Sequence, residues 1–117
     1  MNRLFILDDN LDFARTLFNY ISSKKLSIQT YKILIDGEEI KDTLTELRND
    51  DIIILDLEMP KINGIEIINV IKKSKNEYPY IIIISGKPEF ILEAKEYNDY
   101  IYKILENHFY LKNWLRQ

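Results

Sequence analysis

The chain has 117 residues, 46% of them hydrophobic and 30% charged, as is typical of one soluble globular domain with its own core. The formal net charge is −3 and the 16 basic residues are scattered, so the charge pattern gives no case for direct nucleic-acid binding. Cysteine is absent, which excludes disulfides and thiolate metal sites, and no apolar stretch suits a signal peptide or a membrane span. We therefore expect a single domain over residues 1–117, located in the cytoplasm.

Short apolar runs alternate with segments of helical periodicity, and this alternation is typical of a parallel sheet built from βαβ units. The predicted strands are Arg3–Leu7, a run near Ile28–Ile33, Ile52–Asp56, Tyr80–Ser85 and Tyr100–Lys103. The third and fourth strands are almost uninterrupted isoleucine. Such runs are expected of strands that are covered on both faces.

Five helices are predicted between and after these strands. They lie at about Leu11–Lys24, at about Glu38–Leu47, from near Gly64, from near Pro88, and at roughly Glu106–Leu115. Two helices show an apolar stripe at spacings of three and four residues. The stripes are Leu11, Ala14, Leu17 and Ile21 in the first helix, and Ile65, Ile68 and Ile71 in the third. The fold class predicted from this pattern is α/β.

Polar residues follow or end four of the predicted strands. They are Asp8 and Asp9 after the first, Asp56 at the end of the third, Ser85 at the end of the fourth and Lys103 at the end of the fifth. Because the carboxyl ends of parallel strands share one edge of an open sheet, we expect these side chains to form one pocket. Three carboxylates, a hydroxyl and an ammonium group suit a divalent metal and a phosphoryl group.

The three carboxylates are the candidate metal ligands. Mg²⁺ prefers oxygen ligands and is usually held by one or two carboxylates together with water and phosphate oxygens. The alternative for any one of Asp8, Asp9 and Asp56 is a solvated acid in a loop, but three such acids at neighbouring strand ends would repel one another without a cation. The pattern therefore favours a Mg²⁺ site.

Asp56 is the candidate nucleophile, since a carboxylate can attack a phosphoryl group and form an aspartyl phosphate. Lys103 would neutralise phosphoryl oxygens and Ser85 would donate a hydrogen bond to one of them. Tyr100 lies shortly before Lys103, and its ring could swing inward when the phosphoryl group draws Ser85. Alone, these residues are equally consistent with a solvated lysine, a loop or helix-cap serine and a half-buried tyrosine.

With these residues in place, the chain resembles the receiver domains of two-component response regulators over nearly its whole length. The motifs that support the resemblance are Phe5–Asn10, Asp36–Glu39, Leu55–Gly64, Ile84–Gly86 and Asp99–Lys103. The sequences of Leu57–Glu66 and Pro88–Ala94 are also weakly similar to those of receivers that precede LytTR-type DNA-binding domains. The resemblance implies a flavodoxin-like, three-layer α/β/α fold with five parallel strands in the order 2-1-3-4-5 and about five helices.

The resemblance also implies roles for individual residues. Asp56 would be the phosphoacceptor, and Asp9 and Asp56 would ligate Mg²⁺. Asp8 would assist through water, and the main-chain carbonyl of Glu58 would be a further ligand.

Three further residues would form the switch. Ser85 would be the switch hydroxyl, Tyr100 the switch aromatic and Lys103 the lysine that contacts the phosphoryl group. A histidine kinase or histidine phosphotransfer protein would be the donor. The resemblance further implies an output domain or downstream protein and homodimer formation on phosphorylation. Such a domain assists its own phosphorylation and dephosphorylation and is not otherwise an enzyme.

Two departures from the family pattern have structural consequences. Family members usually have proline after the lysine, with a cis bond, whereas Ile104 stands here and predicts a trans bond. The segment from Ser85 to Lys103 is also short for the family, which predicts a fourth helix of about ten residues. In addition, Glu58 and Lys87 would face each other across the pocket mouth. We expect them to pair and slow the access of water.

Two other functions remain open. The first is a receiver-shaped module that binds proteins without phosphorylation, which Ile104 and the short fourth helix would favour. The second is a phosphotransferase or phosphatase that uses Asp56 and Glu58, similar to haloacid-dehalogenase-type enzymes. Those enzymes place their Asp-x-Asp motif after the first strand, whereas Asp56-Leu57-Glu58 follows the third here.

Overall fold

A computed structural model of the chain describes residues 2–24, 28–35, 37–59, 63–74 and 79–107. Strands and helices alternate along these residues. The strands are β1 (Asn2–Leu7), β2 (Ile28–Leu34), β3 (Ile52–Asp56), β4 (Tyr80–Ile84) and β5 (Lys103–Leu105). The helices are α1 (Leu11–Ser23), α2 (Gly37–Leu44), α3 (Gly64–Ser74) and α4 (Pro88–Lys95), and a 3₁₀ turn covers Asn98–Tyr100.

The five strands form one parallel sheet in the order β2-β1-β3-β4-β5. This order confirms the predicted flavodoxin-like fold. Along the central strands, Leu7 of β1 lies opposite Leu55 of β3, and Asp56 of β3 lies opposite Ile84 of β4. The carboxyl ends of β1, β3 and β4 therefore lie side by side at the edge where open α/β sheets bind ligands.

Successive strand residues point to opposite faces of the sheet and enter two separate apolar cores. On β1, Phe5 and Leu7 join the core formed with α2, α3 and α4, whereas Leu4 and Ile6 join the core formed with α1. The isoleucines of β3 and β4 divide between the same two cores. Helices on both faces thus explain the uninterrupted apolar runs, and they give the three predicted layers.

The predicted apolar stripes of α1 and α3 are confirmed. Ala14, Leu17 and Ile21 are buried and Leu11 is half-buried, while Ile65, Ile68 and Ile71 are all buried. The ends of these helices follow local rules: the Asn10 side chain caps α1 by accepting the Phe13 N–H at 3.1 Å, and Pro88 occupies the first turn of α4 as predicted.

Two helices are shorter than predicted. Helix α2 ends at Leu44, where the N–H of Glu46 bonds the Thr43 carbonyl at 3.0 Å in a tighter turn. Leu47 is nevertheless buried, so the apolar pattern that suggested a longer helix reflects a core contact made from the loop. Helix α4 has 8 residues, slightly fewer than the ten predicted.

The fifth strand was predicted at the wrong position. The predicted strand Tyr100–Lys103 shares only Lys103 with β5, because Tyr100 ends the 3₁₀ turn and its N–H donates to the Tyr97 carbonyl at 2.9 Å. Lys103 therefore begins β5 instead of ending it.

Ile104 explains how the strand continues past Lys103. Proline at this position would lack the N–H needed for ladder pairing, whereas isoleucine keeps it. Ile104 and Leu105 accordingly lie opposite Ile83 and Ile84 of β4. The described part of the chain contains no cis peptide bond, so the bond before Ile104 is trans, as predicted.

The predicted final helix, Glu106–Leu115, lies outside the described residues except for Glu106 and Asn107, which form a bend. Among the helices that the structure describes, none combines the length and the apolar character needed to cross a membrane.

A buried ion pair joins β1 to the start of β3 at the edge opposite the strand-end acids. The Arg3 guanidinium contacts both carboxylate oxygens of Asp51, at 2.9 and 2.8 Å, and the Arg48 N–H donates to the same carboxylate at 2.7 Å. Asp51 is fully buried. Removing one partner of such a pair leaves an uncompensated buried charge.

We expect Asp51→Ala to lower the free energy of unfolding by about 3 kcal/mol, because it removes the carboxylate that neutralises the Arg3 guanidinium in a largely buried position. Urea denaturation measures this change. Asp50→Ala is the matched control, since Asp50 is exposed and the hydrogen bond that it accepts from Asn2 goes to its main-chain carbonyl, which the substitution keeps. Equal midpoints for the two variants would show that the ion pair contributes nothing to stability.

Gly64 lets α3 start close to the loop that follows β3. A Cβ atom at Gly64 would lie 2.6 Å from Leu57 Cδ2 and 3.3 Å from Leu57 Cα. The second contact is with main chain and cannot be relieved by a side-chain rotation. At Gly86, by contrast, the nearest atom to an added Cβ is a Glu58 oxygen at 3.5 Å, an ordinary contact.

Gly64→Ala should therefore destabilise the domain by about 1–3 kcal/mol, the usual cost of overpacking. Gly86→Ala should be neutral or slightly stabilising, since its backbone does not require a positive φ. Thermal or urea unfolding of the two variants tests the contrast, and a Gly64→Ala protein as stable as Gly86→Ala would contradict the close approach to Leu57.

Candidate functional site

Three carboxylates meet at the carboxyl edge of the sheet. Oxygen atoms of Asp8, Asp9 and Asp56 all lie within 4.8 Å of one another. Asp8 directly follows β1 and Asp56 ends the neighbouring β3, so strand pairing brings them together from distant parts of the sequence. Asp8 and Asp56 are buried and Asp9 is exposed. The acidic cluster predicted from the sequence is therefore present.

Main-chain N–H groups orient the two buried carboxylates. The Asn10 N–H donates to Asp8 Oδ1 at 2.9 Å, and the Glu58 N–H donates to Asp56 Oδ1 at 2.8 Å. Each donor lies two residues after its acceptor, in the loop that leaves the strand. The turns after β1 and β3 thus fix the orientation of the two carboxylates, whose positions are set by the strands.

Ser85 lies beside this cluster at the end of β4. Its side chain is fully buried, and its N–H donates to the Leu105 carbonyl at 3.1 Å. The Lys87 N–H donates to Ser85 Oγ at 3.1 Å, which leaves the hydroxyl proton available to a different acceptor. In the sheet register, Ser85 comes one residue after Ile84, the partner of Asp56. The register therefore places Ser85 at the same edge of the sheet as Asp56, on the neighbouring strand.

Glu58 does not form the predicted pair with Lys87. Its Oε2 instead accepts the Gly86 N–H at 2.5 Å and contacts Ser85 Oγ at 3.4 Å. The Lys87 ammonium lies 5.5 Å from the centre of the Phe90 ring, where it makes a cation–π contact on its own helix turn. The main-chain N–H of Gly86 is therefore the hydrogen-bond donor to the Glu58 carboxylate, in the place that was predicted for the Lys87 ammonium.

Lys103 lies at the start of β5 and not at its carboxyl end. It is exposed and lies opposite Ile82, three residues before Ser85 in the direction of β4. At about 3.3 Å per residue, this offset is roughly 10 Å along the sheet. The placement of Lys103 at the strand end is therefore wrong, and its contact with a phosphoryl group stays a prediction.

Tyr100 is half-buried against α3 instead of on a strand. Its ring lies 5.2 Å from the Lys72 ammonium, and the neighbouring Tyr97 hydroxyl accepts a hydrogen bond from Asn69 Nδ2 at 3.1 Å. The segment before β5 is thus attached to α3 through two aromatic residues. The predicted role of Tyr100 as a switch partner of Ser85 stays a prediction.

The composition of the cluster suits a hard divalent cation. Three carboxylates offer oxygen ligands, and hard cations such as Mg²⁺ take oxygen ligands. Asp8, Asp9 and Asp56 are the residues that could hold such an ion. The predicted ligation by the Glu58 carbonyl stays a prediction.

Two groups at the site were not predicted from the sequence. The Gly86 N–H is a donor facing the Glu58 carboxylate, and the Asn10 N–H orients Asp8. A signal for the first existed in the Ser85-Gly86 pair, because glycine beside a polar residue often permits close approach to the backbone.

Comparisons with known proteins agree with this geometry. The family described as the response regulator receiver domain matches residues 4–109. Sensory transduction protein LytT of Bacillus anthracis is 31% identical over 107 residues, which cover 88% of this chain and 42% of LytT. Response regulator SaeR of Staphylococcus aureus is 31% identical over 93 residues, covering 76% of this chain and 37% of SaeR. The chain thus spans less than half the length of these two relatives.

A solved structure supports the same assignment. The crystal structure of a response regulator from Colwellia psychrerythraea superimposes with a TM-score of 0.66 at 27% identity, covering 88% of this chain and 82% of that one. The resemblance to receiver domains that the motifs predicted, including the weak similarity to receivers of LytTR-type regulators, is confirmed. By its sequence match, its sheet order and its cluster of acids, the chain belongs to the response regulator receiver domain family.

Proposed function

We propose that this domain is a phosphoacceptor in two-component signal transduction, with Asp56 as the residue that is phosphorylated. The observation that supports this most directly is the cluster of Asp8, Asp9 and Asp56 beside the buried Ser85 hydroxyl. Acids alone would suit a simple cation site. Acids beside a hydroxyl donor and an oriented nucleophile suit phosphoryl transfer.

In the proposed reaction, a carboxylate oxygen of Asp56 attacks the phosphorus of a phosphohistidine on a histidine kinase or histidine phosphotransfer protein. An O–P bond forms, the P–N bond breaks, and its electron pair returns to the imidazole nitrogen. The Glu58 N–H, which holds Asp56 Oδ1 at 2.8 Å, fixes the plane of the attacking group. Fixed orientation lowers the entropic cost of reaching the transition state.

Asp8, Asp9 and Asp56 would hold Mg²⁺, with the main-chain carbonyl of Glu58 as a further ligand. A bound divalent cation supplies positive charge against the phosphoryl oxygens. Ser85 would donate its hydroxyl proton to one of those oxygens. This new bond would shift the equilibrium between two conformations, which is how a local charge change reaches a distant surface.

The proposed output passes from Ser85 through the segment of Tyr100 and Lys103 to the surface of α4 and β5. An output domain or a downstream protein would bind there, and homodimer formation on phosphorylation is part of the same proposal. The proposal does not include direct binding of this domain to nucleic acid or to a membrane. We propose that the domain acts in the cytoplasm and is not an enzyme beyond assisting its own phosphorylation and dephosphorylation.

Asp56→Asn should abolish phosphoryl uptake, because an amide nitrogen or oxygen cannot serve as the nucleophile. The measurement is intact mass after incubation with acetyl phosphate and Mg²⁺. Asp12→Asn, at an exposed position on α1, is the matched control and should gain one phosphoryl group like the wild type. Uptake by the Asp56→Asn protein, or uptake without Mg²⁺, would contradict the proposal.

Lys103→Met tests how far the lysine participates. Because Lys103 is exposed and lies opposite Ile82, we expect its charge to act weakly and its loss to slow uptake by no more than about fivefold. Lys95→Met, on the exposed end of α4, is the control. A decrease of about a hundredfold would instead show direct hydrogen bonding of the ammonium to the phosphoryl group.

The position of Lys103 also favours a second candidate function, a receiver that binds partner proteins without phosphorylation. The two functions differ in one observable. If wild-type protein gains no phosphoryl group from acetyl phosphate or from a phosphorylated histidine kinase, although Mg²⁺ binds, the second function is the correct one.

A further inference from the structure

The Glu58 carboxylate occupies a small anion cradle at the end of β4. Its Oε2 accepts the Gly86 N–H at 2.5 Å and lies 3.4 Å from Ser85 Oγ. Both donors belong to the loop that begins directly after Ile84, the strand partner of Asp56. An anionic oxygen of this chain thus sits where an oxygen attached to Asp56 would find its hydrogen bonds.

The two donors cannot fully satisfy two anions at once. A main-chain N–H and a serine hydroxyl have one proton each. The Ser85 oxygen already accepts the Lys87 N–H at 3.1 Å, which turns its own proton away from Lys87. A carboxylate oxygen and a phosphoryl oxygen seek the same charge-assisted hydrogen bonds. Whichever anion occupies the cradle excludes the other from it.

We infer that Glu58 is an internal competitor of the phosphoryl group: its carboxylate fills the Ser85–Gly86 cradle in the unphosphorylated domain and must leave when Asp56 is phosphorylated. The inference rests on the proposed function. Glu58 is only half-buried, so its side chain has a route to solvent. Phosphorylation of Asp56 therefore includes the free-energy cost of displacing the Glu58 side chain before Ser85 can donate a hydrogen bond to the phosphoryl group.

This role differs from shielding the site against water. A shield would slow hydrolysis of the aspartyl phosphate and leave anion affinity unchanged. A competitor lowers the affinity of the free domain for phosphoryl-like anions, because the hydrogen bonds of the cradle must first be released.

The test compares wild type, Glu58→Ala and Glu58→Gln by isothermal titration with beryllofluoride in the presence of Mg²⁺. Both variants keep the main-chain N–H that orients Asp56. Releasing a charge-assisted hydrogen bond should tighten the binding of beryllofluoride to Glu58→Ala by about tenfold. Glu58→Gln, which keeps the shape of the side chain but not its charge, should fall between Glu58→Ala and wild type.

Glu89→Ala is the control for charge alone. Glu89 is an exposed acid in the first turn of α4, close in sequence to the cradle and without a contact to Ser85 or Gly86 among the hydrogen bonds of the described residues. Its removal should leave beryllofluoride affinity within about twofold of wild type. A gain equal to that of Glu58→Ala would mean that general electrostatics explains the effect and would overturn the inference.

An independent readout needs no phosphoryl chemistry. In ligand-free protein, the amide proton of Gly86 should move upfield in Glu58→Ala, since a hydrogen bond to a carboxylate shifts it downfield. An unchanged Gly86 resonance would show that Glu58 does not occupy the cradle. A shifted resonance with unchanged beryllofluoride affinity would also overturn the competition. Failure of wild type and every variant to bind beryllofluoride, despite a shifted Gly86 resonance, would instead count against the proposed function.

Discussion

The register between β1 and β3 is the constraint on which the site depends. With Leu7 opposite Leu55, the next residue in the chain is an aspartate in both cases, and two buried carboxylates meet at the sheet edge. A slip of one residue would turn every side chain of a strand to the opposite face. The register is maintained because both faces of these strands are buried against helices, so a slip would disturb two cores at once. Core packing therefore sets the distance between the acids.

The turns that follow the strands orient the carboxylates of the site. They supply main-chain donors to Asp8, Asp56 and Glu58, so each of these carboxylates is oriented by an N–H group close to a strand end. Such donors come from the backbone, and substitution of neighbouring side chains leaves them in place. A Cβ atom at Gly64 would lie 3.3 Å from Leu57 Cα, so α3 begins close to the residue that directly follows β3.

How much the sequence could reveal depends on the element. The isoleucine runs predicted β3 and β4 correctly, because a short uninterrupted apolar run is typical of a strand buried on both faces. The parallel topology then predicted that the acids after β1 and at the end of β3 would lie close together. The predicted position of the fifth strand was wrong because Tyr100-Ile101-Tyr102 has a strong strand propensity. In the structure, Tyr100 instead ends a 3₁₀ turn and contacts Lys72. Likewise, opposite charge suggested a Glu58–Lys87 pair, but the nearby Gly86 N–H is a backbone donor that sequence patterns do not display.

The composition of β4 has a consequence beyond the folded state. Tyr80–Ile84 contains four consecutive isoleucines, all buried, with neither charge nor proline to interrupt them. In the native sheet the strand is paired on both sides, with β3 and β5, and is inaccessible to other chains. Once unfolded, the same segment has the sequence features of cross-β aggregation. Heating at high protein concentration should therefore cause precipitation. Because the unfolded chain is then lost irreversibly, the time for which the native domain survives is determined by its unfolding rate and not by its free energy of unfolding.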